Sequence, residues 1–427
     1  MNATPSPPYP FRSSFLQEAW ARGFIHQCTD YQALDNVLHT HKDAKAYIGF
    51  DATADSLHVG SLTPLMMLRL FQKHGHQPII VMGGGTSLIG DPSGKDTTRA
   101  LLDKNTIHKN SQAIQTLFDK IQCAPKAPNA FQSFNNATWL EPLALIPFLR
   151  DIGRHLSVNR MLNADSVRLR LEREQHLSFL EFNYMVLQAY DFLVMAQQHA
   201  CYIQMGGSDQ WGNITTGIEL ARKKTSLPPL YGLTMPLLTT AQGAKMGKTA
   251  QGAIWLHADK TSVWDYWQFW RNCRDDDVRR CLLLFTDIDV DTIHALTDHA
   301  GEKLNDAKKA LADATTQLLH GADAARDARK SADATFEKHH IGHHLPLTTL
   351  TQQELEHGLP LIDVLMTSAL CQSRSDAKRL IAQQAIKINR QTITDEHMTL
   401  SLQHFDTDKQ CILSKGKKHH RRITYTP

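Results

Sequence analysis

Two short segments carry residue types that suit the binding and transfer of phosphate groups. In the segment 55–62, His58 lies between a predicted strand and a predicted helix, where an imidazole and the helix N-terminus can donate to phosphate oxygens. In the segment 243–249, Lys245 and Lys248 lie in a glycine-flanked loop, where two ammonium groups can stabilise charge that develops on phosphorus and on departing pyrophosphate. Taken singly, each segment has a plainer interpretation, as a solvated helix cap or a solvated surface loop.

A third group of polar side chains repeats with helical spacing. Tyr184, Gln188 and Asp191 follow one another at i, i+4 and i+7, so one helix face can present all three to one pocket. The alternative for the tyrosines of this segment, Tyr184 and Tyr190, is an aromatic core stripe, and for Tyr190 we prefer it.

The first part of the chain predicts a scaffold that could position these residues. Over roughly 240 residues, apolar β-branched runs alternate with amphipathic stretches, which is the pattern of βαβ units and a parallel sheet. Strands are predicted at 46–51 and 78–82, with a helix at 63–73 between them. Gly83-Gly84-Gly85 then interrupts the second strand, as happens where a strand leaves a sheet into a ligand loop. We therefore predict an α/β fold with a Rossmann-like parallel-sheet domain.

The rest of the chain changes character twice. From about 264 to 335 it is rich in Ala, Asp and Lys at helical spacing, which predicts a helical domain. After a linker near 340–352, a basic helix at 373–381 and a strand at 386–389 predict a small α+β unit that ends in a basic run at 415–422. The predicted domains are a catalytic domain at 1–255, a helical domain at 256–345 and a basic domain at 356–427.

Composition sets the class of protein. The chain has 427 residues, 42% hydrophobic and 21% charged, with a net charge of +3 that is too small to argue for nucleic acid by itself. We find no uncharged apolar run of about 18 residues and no leader pattern, so no membrane association and a cytoplasmic location are expected.

Cysteine and histidine give weak signals for metal. The seven cysteines are scattered without a Cys-x-x-Cys pair, which favours buried free thiols over zinc or disulfides. The histidine clusters at 339–344 and 419–420 could bind metal, but surface histidine is the better interpretation.

The two phosphate-binding segments, in this order and about 190 residues apart, resemble the HIGH and KMSKS signatures of class I aminoacyl-tRNA synthetases. Four further segments are similar to those of the bacterial-type tyrosyl family, and together they extend the resemblance over nearly the whole chain: 47–58, 88–95, 184–192 and 206–213. The family activates tyrosine with ATP as an adenylate and then transfers it to the terminal ribose of tyrosine tRNA.

The resemblance implies a role for each matching residue. For the amino acid, it assigns the α-ammonium group to Asp91, Tyr184 and Gln188, the phenolic hydroxyl to Tyr47 and Asp191, and the carboxyl end to Gln210. For ATP, it assigns the phosphates to His58, the adenylate side to Gly49 and Asp51, close backbone approach to Gly60, the ribose to Asp209, and pyrophosphate to Lys245 and Lys248, with Lys95 and Arg99 nearby. Mg²⁺ is expected to arrive with ATP rather than in a dedicated site.

Three positions depart from the family pattern. Ser61 occupies the place of the second histidine of HIGH and is counted here with the catalytic residues. Gly247 makes the lysine segment KMGKT rather than KMSKS, and Ile48 replaces a cysteine that is common in the family. None of these changes touches the expected tyrosine pocket.

The C-terminal unit resembles the small RNA-binding domain shared with a ribosomal protein. Arg374, Lys378 and Arg379 would face phosphates from one helix, and a solvated charged helix is the alternative. The resemblance also implies a homodimer. Two rivals remain: a tryptophanyl enzyme, whose pocket must accept an indole, and a related protein that binds RNA without catalysis.

Overall fold

The computed structural model describes the chain as two compact units. The described residues are 6–93, 101–240, 243, 246–249, 252–298, 302–336, 345–416 and 419–426. The first unit comprises residues 1–248, 253–257 and 274–307, and the second comprises residues 249–252, 258–273 and 308–427.

The strands in chain order are β1 Gln27–Cys28, β2 Lys45–Asp51, β3 Gln77–Gly83, β4 Gln132–Asn135, β5 Ile203–Gly207, β6 Tyr231–Met235, β7 Lys248–Thr249, β8 Gly252–Ala253, β9 Leu347–Thr351, β10 Leu359–Pro360, β11 Ile386–Ile388, β12 Gln391–Thr392, β13 Thr399–Leu400, β14 Gln410–Lys415 and β15 His419–Thr426. The helices are α1 Ser14–Ala21, α2 Tyr31–Thr40, α3 Leu62–Lys73, α4 Lys104–Ile121, α5 Ala137–Leu140, α6 Leu145–Asp151, α7 Val158–Leu162, α8 Asp165–Glu172, α9 Phe179–His199, α10 Trp211–Lys224, α11 Val263–Arg271, α12 Asp275–Phe285, α13 Val290–Thr297, α14 Glu302–His320, α15 Ala322–Phe336, α16 Gln352–Glu356, α17 Leu361–Thr367 and α18 Arg374–Ala382.

The first unit is built on a six-stranded sheet with the order β1-β6-β5-β2-β3-β4. All neighbouring pairs are parallel except β1 with β6, as predicted from the alternation of strands and helices. β3 is buried along its whole length, which matches its continuous apolar sequence. Chain order reverses between β2 and β5, because β3 and β4 follow on one side while β6 follows on the other. In open parallel sheets, ligands bind at such a reversal, beyond the carboxyl ends of the strands.

The β2–β5 pair is short. β2 pairs with β3 over seven residues, from Lys45 to Asp51, but with β5 at only two positions, Ala46 with Ile203 and Tyr47 with Gln204. Beyond Tyr47 the two strands no longer pair, so a crevice opens between them toward their carboxyl ends.

Long helices cover the sheet and complete its core. α9 begins at a capping box in which the Ser178 hydroxyl accepts from the backbone N–H of Glu181, while the Glu181 side chain returns to the backbone of Ser178. Its inner face packs Phe192 into one apolar cluster with Ile79 of β3 and Ile214 of α10. Among the described residues, no helix is long and apolar enough to cross a membrane.

The second unit contains helices of the segment that was predicted to be helical and a C-terminal sheet. The sheet has the order β12-β11-β14-β15-β9, and it packs its apolar face on α17 and α18 through Leu365, Leu380 and Leu413. β9 runs parallel to β15, so the predicted linker near 340–352 is wrong for residues 347–351, which form a strand of this sheet. Arg421 of β15 donates from its guanidinium to both carboxylate oxygens of Asp265, each at 3.2 Å, and to the carbonyl of Ser368.

The expectation of buried free thiols is correct for four of the seven cysteines, which are Cys201, Cys281, Cys371 and Cys411. Cys123 is exposed, and Cys28 and Cys273 are half-buried.

Candidate active site

A cleft of about 730 Å³ opens where β2 and β5 separate. It is lined by twelve of the residues that were predicted to form the site: Tyr47, Gly49, Asp51, His58, Gly60, Ser61, Asp91, Tyr184, Gln188, Asp191, Asp209 and Gln210. Of the remaining predicted residues, Lys95, Arg99 and Lys245 lie outside the described residues, and only the backbone of Lys248 is described. The sheet therefore gathers side chains that are up to 163 positions apart in the chain, from Tyr47 to Gln210.

The closed end of the cleft holds a buried carboxylate. Asp191 accepts hydrogen bonds from Nδ2 of Asn136 at 2.9 Å and from Nε1 of Trp139 at 2.7 Å, one on each oxygen. Burial raises the pKa of Asp191 to about 7, although both hydrogen bonds act in the opposite direction. A carboxylate oxygen can accept more than one hydrogen bond, so Asp191 keeps capacity for a hydroxyl of a ligand.

Two buried polar atoms of residues that line the cleft have no partner within the described part of the chain. They are Oη of Tyr47 and Oε1 of Gln204, whose residues pair across β2 and β5. Burial and the nearby Asp191 raise the pKa of Tyr47 well above its usual value, so its hydroxyl stays protonated and can donate. A buried polar group without a hydrogen bond costs about 1–3 kcal/mol. A ligand that brings one polar group to this end of the cleft would recover part of that free energy.

Asp51 closes the crevice at the carboxyl end of β2. Its two oxygens accept from the hydroxyl of Tyr184 at 3.0 Å and from that of Thr86 at 2.8 Å. Burial, followed by the charges of Asp51 and Asp91, raises the pKa of Tyr184 well above its usual value. Gly83 must be glycine here, because a Cβ at that position would overlap the Asp51 carboxylate and the Thr86 hydroxyl.

A polar network lines the opposite wall. Nε2 of Gln210 donates to Asp91 at 2.7 Å, and Nδ2 of Asn213 donates to Oε1 of Gln188 at 2.8 Å and to Oε1 of Gln210 at 3.2 Å. The backbone N–H of Ser93 donates to the other oxygen of Asp91 at 2.9 Å. These contacts fix the orientation of both glutamine amides, since each Oε1 is held by a donor.

His58 caps the turn that leads into α3. Its Nδ1 accepts from the backbone N–H of Gly60 at 2.9 Å, so in the neutral ring the proton is on Nε2, which is a donor. A Cβ on Gly60 would lie 2.6 Å from Cε1 of this ring, so glycine is required for His58 to take this position. Gly49 is exposed in the middle of β2, where a ligand can approach the backbone closely.

The departure at Gly247 has a structural reason. Gly247 has φ +86°, a conformation that favours glycine, and a Cβ there would lie 3.1 Å from Cβ of Val59. The serine of the usual KMSKS sequence would be strained and crowded at this position. Ser61, the other departure, makes no side-chain capping bond at the start of α3.

Comparison with known proteins places these features in a family. Residues 39–337 match the family model for class I tRNA synthetases (W and Y), and residues 338–423 match the model for the tyrosine–tRNA ligase SYY-like C-terminal domain. Tyrosine–tRNA ligase of Rhodospirillum rubrum is 49% identical over 97% of this chain and 99% of the relative, and that of Bradyrhizobium diazoefficiens is 47% identical over 96% and 98%. The chain belongs to the tyrosine–tRNA ligase family.

A solved tyrosyl-tRNA synthetase agrees with this assignment. The C-terminally truncated mitochondrial enzyme of Aspergillus nidulans superposes with a TM-score of 0.67 at 31% identity, over 76% of this chain and 95% of that one. The sequence-based recognition of a tyrosyl enzyme is therefore confirmed, and the tryptophanyl and purely RNA-binding alternatives are set aside.

Several residues that shape the cleft were not predicted from the sequence. They are Thr86, Asn136, Trp139, Gln204 and Asn213. Asn136 could have been predicted from the sequence, because it directly follows β4. Polar residues beyond the carboxyl end of a parallel strand face the ligand crevice. Among the described residues, no group of three or more His, Cys, Asp or Glu side chains is arranged to hold a metal. The histidines at 339–344 lie outside the described residues, and His420 is buried against Ser414.

The donors to Asp191 should control the pH dependence of tyrosine binding. Because the pKa of Asp191 is raised to about 7, tyrosine affinity should fall as pH decreases through that value and the carboxylate becomes protonated. Trp139→Phe removes a hydrogen bond that lowers this pKa, so the midpoint of the pH profile should move upward and affinity at neutral pH should decrease. Calorimetric measurement of tyrosine binding from about pH 6 to 9 tests this.

Trp267→Phe is the matched control, because Trp267 also donates to an aspartate, Asp313, but belongs to the second unit. Its pH profile should equal that of the unaltered chain. An unchanged midpoint in Trp139→Phe would show that Asp191 does not govern binding.

Proposed function

We propose that this protein binds the phenol of tyrosine between Tyr47 and Asp191. The observation that carries the proposal is a buried donor beside a buried acceptor at the closed end of the cleft. The protonated hydroxyl of Tyr47 can donate to the phenolic oxygen, and Asp191 can accept the phenolic proton. Phenylalanine would leave the buried Tyr47 hydroxyl without a partner, at a cost of about 1–3 kcal/mol, and would offer no proton to Asp191, which keeps only its bonds from Asn136 and Trp139.

The polar wall of the cleft suits the other end of the amino acid. We assign the α-ammonium group to Asp91, Tyr184 and Gln188, which offer a carboxylate and two neutral oxygens. Gln210 reaches Asp91 at 2.7 Å, so it lies beside this group and can donate to the carboxyl end. Asn213 orients the amides of both glutamines and acts on the substrate through them.

ATP is assigned to the mouth of the crevice. Gly49 and Asp51 lie on the adenylate side, Asp209 binds the ribose hydroxyls, and Nε2 of His58 donates to a phosphate oxygen. Gly60 gives the backbone room for that approach, and Ser61 adds a hydroxyl at the start of α3. Lys245 and Lys248 neutralise the departing pyrophosphate, because two ammonium groups suit the charge that it carries.

The chemistry then needs no nucleophile from the protein. The tyrosine carboxylate attacks the α-phosphorus of ATP in line, and the tRNA terminal hydroxyl attacks the resulting mixed anhydride. Positioning and electrostatic stabilisation supply the rate. We propose that Mg²⁺ arrives on the ATP phosphates, since Asp51, Asp91 and Asp191 already accept hydrogen bonds from protein groups.

Amino-acid-dependent exchange of pyrophosphate into ATP tests the tyrosine pocket. Tyrosine should support exchange, while tryptophan and phenylalanine should give nearly none. Tyr47→Phe should lower kcat/KM for tyrosine by about 3- to 10-fold, because one hydrogen bond is lost, and should leave phenylalanine no worse. Tyr190→Phe is the control, since Tyr190 packs on Phe148 outside the cleft. Equal losses of kcat/KM for tyrosine in the two variants would show that the Tyr47 hydroxyl does not bind the phenol.

We propose that the C-terminal domain, which the sequence predicts at 356–427 and whose sheet also includes β9 at Leu347–Thr351, binds tyrosine tRNA through α18. Arg374, Lys378 and Arg379 are exposed on this helix, and each contacts a carboxylate, those of Asp363, Glu396 and Asp376 respectively. Exposed ion pairs are worth only about 0–1 kcal/mol, so phosphates can replace these carboxylates at little cost. In this proposal, residues 1–255 carry out tyrosine activation. Residues 256–345 form the helical domain that lies in the chain between the activation domain and the tRNA-binding domain.

Neutralising α18 separates RNA binding from activation. The triple variant Arg374→Gln, Lys378→Gln, Arg379→Gln should leave tyrosine-dependent exchange unchanged and raise KM for tRNA by about tenfold at ~0.15 M salt. The charge-retaining triple variant Arg374→Lys, Lys378→Arg, Arg379→Lys should charge tRNA nearly normally. If the neutral variant charges tRNA as well as the unaltered chain, α18 does not bind tRNA.

We propose that the protein is a homodimer that works in the cytoplasm, and that an apolar face between 145 and 180 forms the interface. Among the described residues, nine of the twelve exposed large apolar side chains fall within this range, including Ile146 at 71% and Phe179 at 81% exposure. Exposed apolar patches of this kind mark association surfaces, and a surface that meets its own copy is the commonest solution.

Charge in this apolar face should dissociate the dimer. Phe179→Glu should give a monomer mass by light scattering coupled to size-exclusion chromatography, because two buried carboxylates would oppose association. Leu347→Glu is the control, since Leu347 is 50% exposed in the C-terminal sheet, outside this range. A dimeric Phe179→Glu variant would contradict the proposed interface.

A further inference from the structure

The segment that follows the lysine segment pairs with the segment that contains His58. The backbone N–H of Val59 donates to the carbonyl of Ile254 at 2.9 Å, and that of Leu256 donates to the carbonyl of Leu57 at 2.8 Å. The backbone N–H of Ile254 also donates to the carbonyl of Gly247 at 2.9 Å. The two phosphate-binding signatures are therefore connected through a short ladder of backbone hydrogen bonds.

Trp255 and His257 lie on this ladder. The indole of Trp255 packs edge-on against the imidazole of His58, with ring centroids 6.4 Å apart. Nδ1 of His257 lies 2.8 Å from Oγ of Ser56, and Nε2 lies 3.0 Å from Oγ1 of Thr116 in α4. His257 thus bridges the residue two before His58 to a helix of the first unit.

The hydroxyl of Ser56 is placed to accept a hydrogen bond from Nδ1 of His257. Oγ of Ser56 lies 3.0 Å from the carbonyl of Leu57, and Oγ1 of Thr116 lies 2.8 Å from the carbonyl of Ala113. The Ser56 hydroxyl can donate its one proton to the Leu57 carbonyl, so its lone pairs face Nδ1 of His257. A neutral imidazole has one N–H, so when Nδ1 donates to Ser56, Nε2 accepts from the Thr116 hydroxyl, which can donate either there or to the Ala113 carbonyl. Ser56 is buried, and its Oγ also lies 3.4 Å from the backbone N–H of His257.

We propose that His257 is a positioning residue for activation: its Nδ1, donating to Ser56, holds the segment 56–59 in register with 254–257. This register fixes where His58 points relative to the exit of the lysine segment at Gly247. The inference rests on the proposed role of His58 at the ATP phosphates. His257 does not line the cleft, whereas Ser56 does, so His257 acts through Ser56.

The register should affect kcat rather than tyrosine affinity. The residues proposed to bind tyrosine lie on β2, on α9 and in the segments that contain Asp91 and Gln210, and His257 does not line their cleft. A small displacement of a catalytic group from its productive position can cost up to about 100-fold in rate. His257→Ala and Ser56→Ala should each lower kcat for adenylate formation by about 10-fold or more, with KM for tyrosine unchanged. Because both changes break the same contact, the double variant should be no worse than either single variant.

Two amide substitutions of His257 test its contacts with Ser56 and Thr116 separately. In His257→Asn, Nδ2 takes the position of the ring Nδ1 and can still donate to Ser56, whereas in His257→Gln, Nε2 takes the position of the ring Nε2 and can reach only Thr116. We expect His257→Asn to keep kcat within about threefold of the unaltered chain, and His257→Gln to match His257→Ala. Rapid-quench measurement of adenylate formation, with thermal unfolding of each variant, gives the comparison.

His58→Ala in the same series distinguishes the positioning role of His257 from the proposed role of His58 at the ATP phosphates. A low rate in His58→Ala with full activity in His257→Ala would overturn the positioning role alone. Equal rates in His257→Asn and His257→Gln, whether high or low, would also overturn it, because the Ser56 contact would then not be the one that matters. Full activity in His58→Ala would remove the proposed role of His58, and with it the basis of this inference.

Discussion

The separation of β2 from β5 is the constraint on which the site depends. The two strands pair at only two positions, and the chain runs in opposite directions across the sheet from this point. A crevice at the carboxyl ends is the result, and polar residues can line it because a ligand or water can meet their hydrogen-bonding groups. Tyr47 lies at the last paired position and so forms the floor of the crevice. Residues farther along both strands become its walls.

Without a ligand, the polar groups at the buried end of the crevice have an unfavourable free energy. Asp191 is buried and held by Asn136 and Trp139, while Tyr47 and Gln204 keep buried polar atoms without partners among the described residues. Such groups lower the stability of the unliganded protein, and a ligand with matching groups recovers part of the loss. Under the proposed assignment of the phenol to Tyr47 and Asp191, selectivity for a phenol over a benzene ring follows from this unfavourable free energy rather than from the shape of the pocket alone.

Local sequence patterns predicted most of the scaffold. The strands at 46–51 and 78–82 and the helix at 63–73 agree with β2, β3 and α3 to within one residue at each end, because strong apolar periodicity fixes them. The helix face of Tyr184, Gln188 and Asp191 could be derived from spacing on one element. Sequence spacing could not show that Asn136 meets Asp191, a contact across 55 positions that depends on how β4 lies in the sheet. The sequence could not predict the positive φ of Gly247 for the same reason. The need for glycine there becomes clear only from its close approach to Val59 in the fold.

If the phenol binds at Asp191 as proposed, the two donors to Asp191 limit how the pocket can be adapted to tyrosine analogues that carry a substituent in place of the phenolic hydroxyl. Replacing Asp191 by a smaller apolar residue would make space, but it would also leave Nδ2 of Asn136 and Nε1 of Trp139 buried without an acceptor. Each such donor costs about 1–3 kcal/mol, which is comparable to the affinity gained from a well-placed apolar substituent. An enlarged substrate range therefore requires changes at Asp191, Asn136 and Trp139 together. In a library that varies only the residues in contact with the phenol, variants with a replaced Asp191 would be destabilised by the two unpaired donors and would be lost during selection.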